Sequence, residues 1–499
     1  MIPDWKLTEP TREDPMKIRF GWVLLVTAIC GGRFLPNTTA EETQPNIVFI
    51  FADDLTYRAV NSLGNPEVQT PNLDALVRQG ITFTHAYNQG SWTGAVCVAS
   101  RTMLNTGRYL WNARRVMGKL EVERKEGRLW SEYLRGAGYD TYFSGKWHVK
   151  IDANKIFSHA KHVRPGMPKQ TNAGYNRPLP NQEDPWSPSD PKFGGFWEGG
   201  LHWSEVLKND AVEFLQQAAG RDNPFFMYVA FNAPHDPRQA PQSFVDRYPL
   251  DKITVPKTFL PEYPFKDAIA CGKNLRDEKL GPFPRTRHSV KIHRQEYYAI
   301  ITHMDEQIGR ILDALKRSGK AENTYVVFTA DHGLGVGEHG LFGKQNLFDH
   351  SVRVPFMVKG PGIPAGAKNN SPIYLQDIMP TTLEWAGLEK PDHVQFQSLL
   401  PLIHADQPQT KTDRTIYGGY LDVQRSVTHG RYKLLLYPKI KKTLLFDLKA
   451  DPLEMNDVSD DPKNQGIVRK LFAELLRLQK ETGDTLDLLA DFSTLGNRS

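Results

Sequence analysis

The stretch Asn46-Ile47-Val48-Phe49-Ile50-Phe51 is followed almost at once by Asp53-Asp54. Five β-branched or aromatic residues in a row predict a strand buried on both faces. Similar runs occur at 139–143 (YDTYF), 225–231 (FFMYVAF), 325–329 (YVVFT) and 355–358 (PFMV). Helical patterns lie between them at 73–79, 129–136 and 204–219, the last with Ser204 as its expected N-cap. A long amphipathic helix is expected at 294–317, where Tyr298, Ile301, Ile308, Ile311 and Leu315 share a face. Strands alternating with helices predict an α/β core built on a mostly parallel central sheet flanked by helices.

After Gly387 the pattern changes. Residues 432–437 and 443–448 read as strands and 466–482 as an amphipathic helix. This predicts a smaller C-terminal α+β subdomain with a short antiparallel sheet, over 405–490, behind a large domain over 44–390. The segments 155–200 and 256–287 are rich in Pro and Gly and lack a period. Such insertions either surround a site or pack over the surface.

Composition sets bounds on function. Hydrophobic residues make up 39% and charged residues 24% of 499, which is ordinary for a globular protein. The net charge of +5, from 62 basic and 57 acidic residues, is too small and scattered to indicate nucleic acid. Residues 1–15 are polar. Lys17 and Arg19 then precede an apolar run from Phe20 to Cys30, and small or polar residues follow to Ala40. That is the layout of a secretory signal peptide, with Met16 as the expected start and 1–40 as a removable extension. The run is too short for a stable membrane span. The expected location is therefore periplasmic or secreted. Cys30 would leave with the signal, so Cys97 and Cys271 remain, and a disulfide between them stays open at this point.

Polar groups follow several of the expected strands. Asp53-Asp54 comes after the first, Gly145-Lys146-Trp147-His148 after the second, Asn232-Ala233-Pro234-His235 after the third, and Asp331-His332-Gly333 after the fourth. Gly337-Glu338-His339-Gly340 and Lys344 come soon after. Singly, each fragment suits an ordinary polar loop. In a parallel sheet, however, ligand sites form at the carboxyl ends of the strands, so these groups should converge on one edge. Adjacent carboxylates there suit a hard divalent cation.

The decisive motif is Cys97-Val98-Ala99-Ser100-Arg101, continuing Thr102-Met103-Leu104-Asn105-Thr106-Gly107-Arg108. It resembles the signature of the sulfatase family, in which the Cys is oxidised to formylglycine (3-oxoalanine). The resemblance runs from about Pro45 to Val458, through Arg431-Tyr432-Lys433-Leu434, Leu445-Phe446-Asp447-Leu448 and Asp451-Pro452-Leu453-Glu454. It implies an alkaline phosphatase-like fold and a sulfuric ester hydrolase. Asp53, Asp54, Asp331 and His332 would bind the metal, with modified Cys97 completing the shell; calcium is favoured and magnesium is the alternative. Arg101 and Lys146 would hold the nucleophile and sulfate, His148 would partner the formylglycine, and His235 and Lys344 would sit at the leaving group. Ala99 stands where the family more often has Pro, which leaves open which maturation enzyme acts on Cys97.

These residue types suit the reaction. A cation polarises a sulfate oxygen, Arg101, Lys146 and Lys344 neutralise charge, and histidines move protons. A helix expected over 100–105 would favour an anion near Cys97. By resemblance, a hydrated aldehyde attacks sulfur, His235 or Lys344 protonates the alcohol, and His148 drives sulfate release. The expected partner is a sulfated carbohydrate, with Trp186, Trp197 and Trp203 able to stack on sugars or simply to pack. Choline or aryl sulfate, or a phosphodiester or phosphonate monoester, are the alternatives. A catalytically dead glycan-binding relative should have lost one of Cys97, Arg101, Asp53, Asp54 or Asp331; all are present. The sugar, the sulfated position, exo or endo action and the oligomeric state stay open.

Overall fold

The computed structural model describes residues 44–403 and 413–496. The expected signal segment 1–40 and the expected boundary at 405 lie outside the described residues.

The large sheet takes its strands in chain order as β1 (Asn46–Ala52), β2 (Ile81–Phe83), β3 (Asp140–Lys146), β4 (His159–Arg164), β5 (Phe225–Ala230), β6 (Thr324–Ala330), β7 (Phe356–Lys359) and β8 (Ala367–Asn369). Their spatial order is β8-β2-β7-β6-β1-β5-β3-β4. The run β6-β1-β5-β3-β4 is parallel, and β7 is antiparallel to both neighbours. Every residue of β1 is buried. A central parallel strand covered on both faces has no solvent side, which is why its sequence shows no polar alternation.

The main helices are α1 (Pro71–Gln79), α2 (Val96–Thr106), α3 (Trp130–Gly136), α4 (Trp203–Ala219), α5 (Arg287–Arg317), α6 (Ile378–Trp385) and α7 (Gln465–Thr482). Trp130 of α3 lies edge-on to Phe49 of β1, with centroids 5.0 Å apart, and its indole donates to Thr382 Oγ1 of α6 at 2.7 Å. Helices α4 and α1 both pack against α5. Asp305, in the middle of α5, accepts from the backbone N–H groups of Asn72 (3.1 Å) and Leu73 (2.8 Å). It satisfies two donors that the first turn of α1 leaves open.

Four local expectations change. Helix α4 is capped by His202, whose Nδ1 accepts from Ser204 N at 3.1 Å, so Ser204 is inside the helix and not its cap. Helix α5 starts at Arg287, not 294, under a Thr286 cap on Ser289 N; its polar first turns hid it from an apolar-period reading. Helix α2 starts at Val96, so Cys97 lies in its first turn and not ahead of a helix beginning at 100. Inside the irregular 155–200 segment, β4 forms a charged edge strand. Charged side chains on an edge discourage further pairing, and they also erase the strand signal.

The C-terminal sheet is an antiparallel meander of β9 (Ile416–Tyr420), β10 (Gln424–His429), β11 (Tyr432–Tyr437) and β12 (Lys442–Asp447). Helix α7 buries Val468, Leu471, Phe472 and Leu475 beside it. The short strand Gly90–Ser91, just ahead of α2, joins this sheet parallel to β9. Gly90 has φ +96°, and a Cβ there would lie 2.1 Å from the Gly419 carbonyl oxygen. Only glycine permits that approach.

Candidate active site

Because β3, β5, β1 and β6 are adjacent and parallel, the segments after them emerge on one edge. Asp53 N–H donates to the Ala233 carbonyl at 3.1 Å, and Asp331 N–H donates to the Ala52 carbonyl at 3.2 Å. These bonds tie the β1, β5 and β6 exits together. Asp54 and His148 have φ of 68° and 53°, a left-handed conformation that non-glycine residues adopt at a cost and that recurs at functional sites.

Asp53, Asp54, Cys97, Arg101, Lys146, His148, His235, Asp331, His332 and Lys344 all meet here. Lys146 Nζ pairs with Asp53. Lys344 Nζ donates to Asp54 Oδ1 and Oδ2 at 2.8 and 2.9 Å. Arg101 is fully buried; its Nε donates to Asp331 Oδ2 at 3.0 Å and its Nη1 to the Lys146 carbonyl at 2.6 Å. It thus braces two other site residues. Cys97 Sγ lies 3.0 Å from His148 Nδ1. His332 Nε2 stands 3.3 Å from Asp54 and 3.5 Å from Asp331, and His235 Nε2 stands 3.8 Å from Asp54.

The electrostatics follow from crowding buried charges. Burial, then the Asp331 charge, pushes the Asp53 carboxyl well above its usual range. Burial also opposes ionisation of Asp54, but His235, Lys344 and His332 outweigh it and hold that carboxyl low. Asp331 is likewise held low against burial, by His332 and Arg101. Burial works against the Cys97 thiolate, yet Lys146, the hydrogen bond with His148 and the neighbouring His332 ring carry the thiol well below its ordinary value. His235 is pushed down by burial. A site that drives neighbouring groups apart in this way has the electrostatic character of a reaction centre.

The donor set fits a divalent cation. Ligand atoms of Asp53, Cys97, Asp331 and His332 lie within 4.8 Å of one another, and so do those of Asp53, Asp54 and His235. Asp53 Oδ1 and His332 Nε2 are buried without hydrogen-bond partners among the described residues. His332 Nδ1 lies 2.9 Å from the Gly333 carbonyl. A proton donated there leaves Nε2 as the free ring nitrogen, which is how metal-binding histidines are commonly oriented.

Other expectations resolve differently. Cys97 and Cys271 are free thiols, and Cys271 Sγ sits 3.1 Å from the Gln345 carbonyl. His339 turns away from the site, stacking on Phe348 and contacting the Glu454 carbonyl. The three tryptophans are packed: Trp186 against Phe193, Trp197 against His202 and Trp203 beneath Arg164. Sequence reading missed a supporting network. Arg276 pairs with Asp236 and Asp277, while Gln345 Nε2 donates to Asp277 Oδ2 (2.7 Å) and the Gly94 carbonyl (2.9 Å). Asp236 could have been suspected from its place beside His235; Arg276 and Asp277 lie in an insertion without period. No helix among the described residues is long and apolar enough to cross a membrane.

Comparison with known proteins agrees with this site. A family model described as Sulfatase matches residues 45–388. A second, N-sulphoglucosamine sulphohydrolase, C-terminal, matches residues 337–481. An ulvan-active sulfatase of Formosa agariphila is 29% identical over 463 residues, covering 89% of this chain and 83% of the relative. A solved structure of a protein in complex with its substrate D-glucosamine-2-N,6-O-disulfate superposes with a TM-score of 0.67 at 22% identity, covering 89% of this chain and 99% of that one. The phosphonate monoester hydrolase of Agrobacterium radiobacter does so with 0.68 at 21% identity, covering 88% and 96%. With a strand-edge cluster of carboxylates, lysines and histidines around Cys97 and a family match over most of its length, the chain belongs to the sulfatase family and is a sulfuric ester hydrolase.

Proposed function

We propose that this sulfatase hydrolyses a sulfate monoester on a carbohydrate, through formylglycine made from Cys97 and a divalent cation. The observation that carries the reading is Cys97 itself. It is buried in the first turn of α2, 3.0 Å from His148 and beside the carboxylate cluster. Sγ marks where the oxygen of the modified side chain would stand.

Asp53, Asp54, Asp331, His332 and residue 97 would hold the cation, and their oxygen-rich chemistry favours calcium over magnesium. When bound, the cation supplies Lewis-acid polarisation of a sulfate oxygen. The formyl group supplies an oxygen nucleophile that can be regenerated without hydrolysis of a sulfated side chain. His148 takes a proton from residue 97 across their 3.0 Å contact. Lys146 and Lys344 neutralise the sulfate oxygens, their positions fixed by Asp53 and Asp54. Arg101 holds Asp331 and the Lys146 backbone in register. His235 has its Nδ1 2.6 Å from the Asp236 carbonyl, so Nδ1 carries the N–H and Nε2 is the free nitrogen that faces the ester; it would pass a proton to the leaving alcohol only after taking one up, and Lys344, already protonated beside Asp54, is the alternative donor.

The carbohydrate reading draws support from the ulvan-active relative and from the neighbour that binds a disulfated glucosamine. A phosphonate or phosphate ester is the second reading, favoured by the likeness to the phosphonate monoester hydrolase. The chain is further read as exported after loss of 1–40, with a catalytic domain over 44–390 and a C-terminal subdomain over 405–490. One experiment tests the proposal. Sulfate release is measured on a panel of sulfated saccharides, choline sulfate, an aryl sulfate and matching phosphate and phosphonate esters. The same preparation is checked by mass spectrometry for a residue-97 peptide lighter by about 18 Da. Fastest turnover of a saccharide sulfate by modified enzyme supports the reading; faster phosphonate or phosphate cleavage overturns it.

A further inference from the structure

Two segments leave the large sheet side by side where β3 and β4 end. The strands pair in parallel, with Gly145 opposite Val163 and Lys146 opposite Arg164. Trp147 N–H donates to the Arg164 carbonyl at 3.3 Å, which carries the pairing past the last residues of both strands. Continued one step further, this register sets His148 opposite Gly166. A bulge decides it. Ser144 faces Lys161 but Gly145 faces Val163, so the register shifts between them. The residue left over is His162, at φ 40°. Without that shift Pro165 would come opposite His148. Bulges beside active sites commonly re-aim a side chain in this way.

Gly166 lies directly against the His148 ring. A Cβ placed on it would stand 2.3 Å from both Cε1 and Nε2 of His148 and 2.7 Å from Cδ2. The φ of Gly166 is not in the left-handed region, so no backbone need calls for glycine there; the missing side chain does. The ring is constrained on its other side as well. Its Nδ1 lies 3.0 Å from Cys97 Sγ, and it projects from a backbone held at φ 53°. The Gly166 segment is tied down in turn. Buried Asn232 donates from Nδ2 to the Pro165 carbonyl at 3.2 Å. The Asn232–His235 segment therefore supplies one histidine of the site and tethers the loop beside another. Between a paired, tethered backbone and a side chain free to turn about χ1 and χ2, the side chain yields more readily to added bulk.

We propose that Gly166 is a positioning residue for His148, which rests on the proton-taking role given to His148 above. The bare backbone at 166 leaves room for the one ring placement in which Nδ1 faces residue 97, and Asn232 keeps that backbone in place. Gly166 touches neither the ester nor the metal ligands in this arrangement; it acts through the ring alone. A displacement of a reacting group by about 1 Å can cost on the order of a hundredfold in rate, so one methyl group at 166 is enough to register.

The test is a double-mutant cycle on the full chain, with the fastest ester of the panel above and turnover counted per modified residue 97. Gly166→Ala should lower kcat by about tenfold to a hundredfold with a thermal midpoint close to that of wild type. Its crystal structure should show His148 Nδ1 moved out of hydrogen-bonding distance of residue 97. Added to His148→Ala, Gly166→Ala should cost nothing further, because the ring it displaces is gone. Asn232→Ala frees the loop without adding bulk; it should lower kcat by a smaller factor, and that loss should also vanish in the His148→Ala background. Full turnover by Gly166→Ala while His148→Ala is slow overturns the proposal and leaves the role of His148 standing. So does a loss from Gly166→Ala or Asn232→Ala that persists undiminished without His148. A His148→Ala enzyme as fast as wild type overturns the role of His148 itself, and the positioning role of Gly166 with it.

Discussion

At the scale of single residues, the site depends on side chains that cannot be exchanged without leaving a buried charge or a missing atom. Cys97→Ala removes the atom 3.0 Å from His148 and little packing. Turnover should fall by roughly a thousandfold or more with the thermal midpoint nearly unchanged; retained turnover would show that residue 97 is not the nucleophile. Asp331→Asn should do two things. It removes an oxygen from the cluster of potential metal ligands, and it leaves the fully buried Arg101 without its carboxylate. Breaking such a pair costs about 3–5 kcal/mol, so a lower denaturation midpoint should accompany lower bound metal in elemental analysis. Unchanged metal content would remove Asp331 from the ligand set. Asp331 was legible in the sequence as a polar residue at the end of an apolar run, and Cys97 and Arg101 through their shared motif. Asp277, Arg276 and Gln345 were not, because the contacts that tie them to the site, Arg276 to Asp236 and Gln345 to Asp277, span 40 or more positions and nothing periodic marks them.

At the scale of elements, the long helix α5 does more than cover the sheet. Asp305 caps α1 from the middle of α5, so the two helices share one buried carboxyl. Burial raises that carboxyl from 3.8 to about 6, against the opposing pull of the Leu73 and Asn72 hydrogen bonds. The folded chain then binds the proton more tightly than the unfolded chain. The stability from this group is fully present below the unfolded pKa and is lost as pH rises through about 6. Unfolding free energies of wild type and Asp305→Asn, compared from about pH 4 to about pH 7, should show the wild type losing about 1–3 kcal/mol relative to the variant. A difference flat with pH would mean that the amide bonds hold Asp305 ionised throughout. The start of α5 escaped the sequence reading for a related reason. Its first turns carry Arg287, His288 and Lys291, and the cap that begins it, Thr286, is a single hydroxyl.

At the scale of the whole molecule, the Gly90–Ser91 strand joins the C-terminal sheet to the polypeptide that leads into α2 and Cys97. Gly90→Ala forces a Cβ against the Gly419 carbonyl at a positive φ. It should destabilise the chain by about 2–3 kcal/mol or more, increase proteolysis within β9–β12 and lower turnover. Full turnover with the sheet loosened would show that the C-terminal sheet does not support the catalytic helix. Chelation tests the cluster as a unit. Removal of divalent ions should abolish most activity and lower the melting temperature, and calcium or magnesium should restore both; indifference to chelator in both readouts would refute a metal at this site.

The sequence alone determined the buried parallel strands, the polar groups at their ends and the Cys97 motif, because burial and signature chemistry are written in consecutive residues. The tertiary structure alone decided which carboxylate meets which lysine, that Arg101 braces Asp331 and the Lys146 backbone, that the tryptophans pack against neighbouring side chains, and that a cavity lies behind the Asp53–Asp54 loop. Those outcomes depend on strand order, with β1 between β5 and β6, and on contacts between residues far apart in the chain. Neither leaves a local pattern to read.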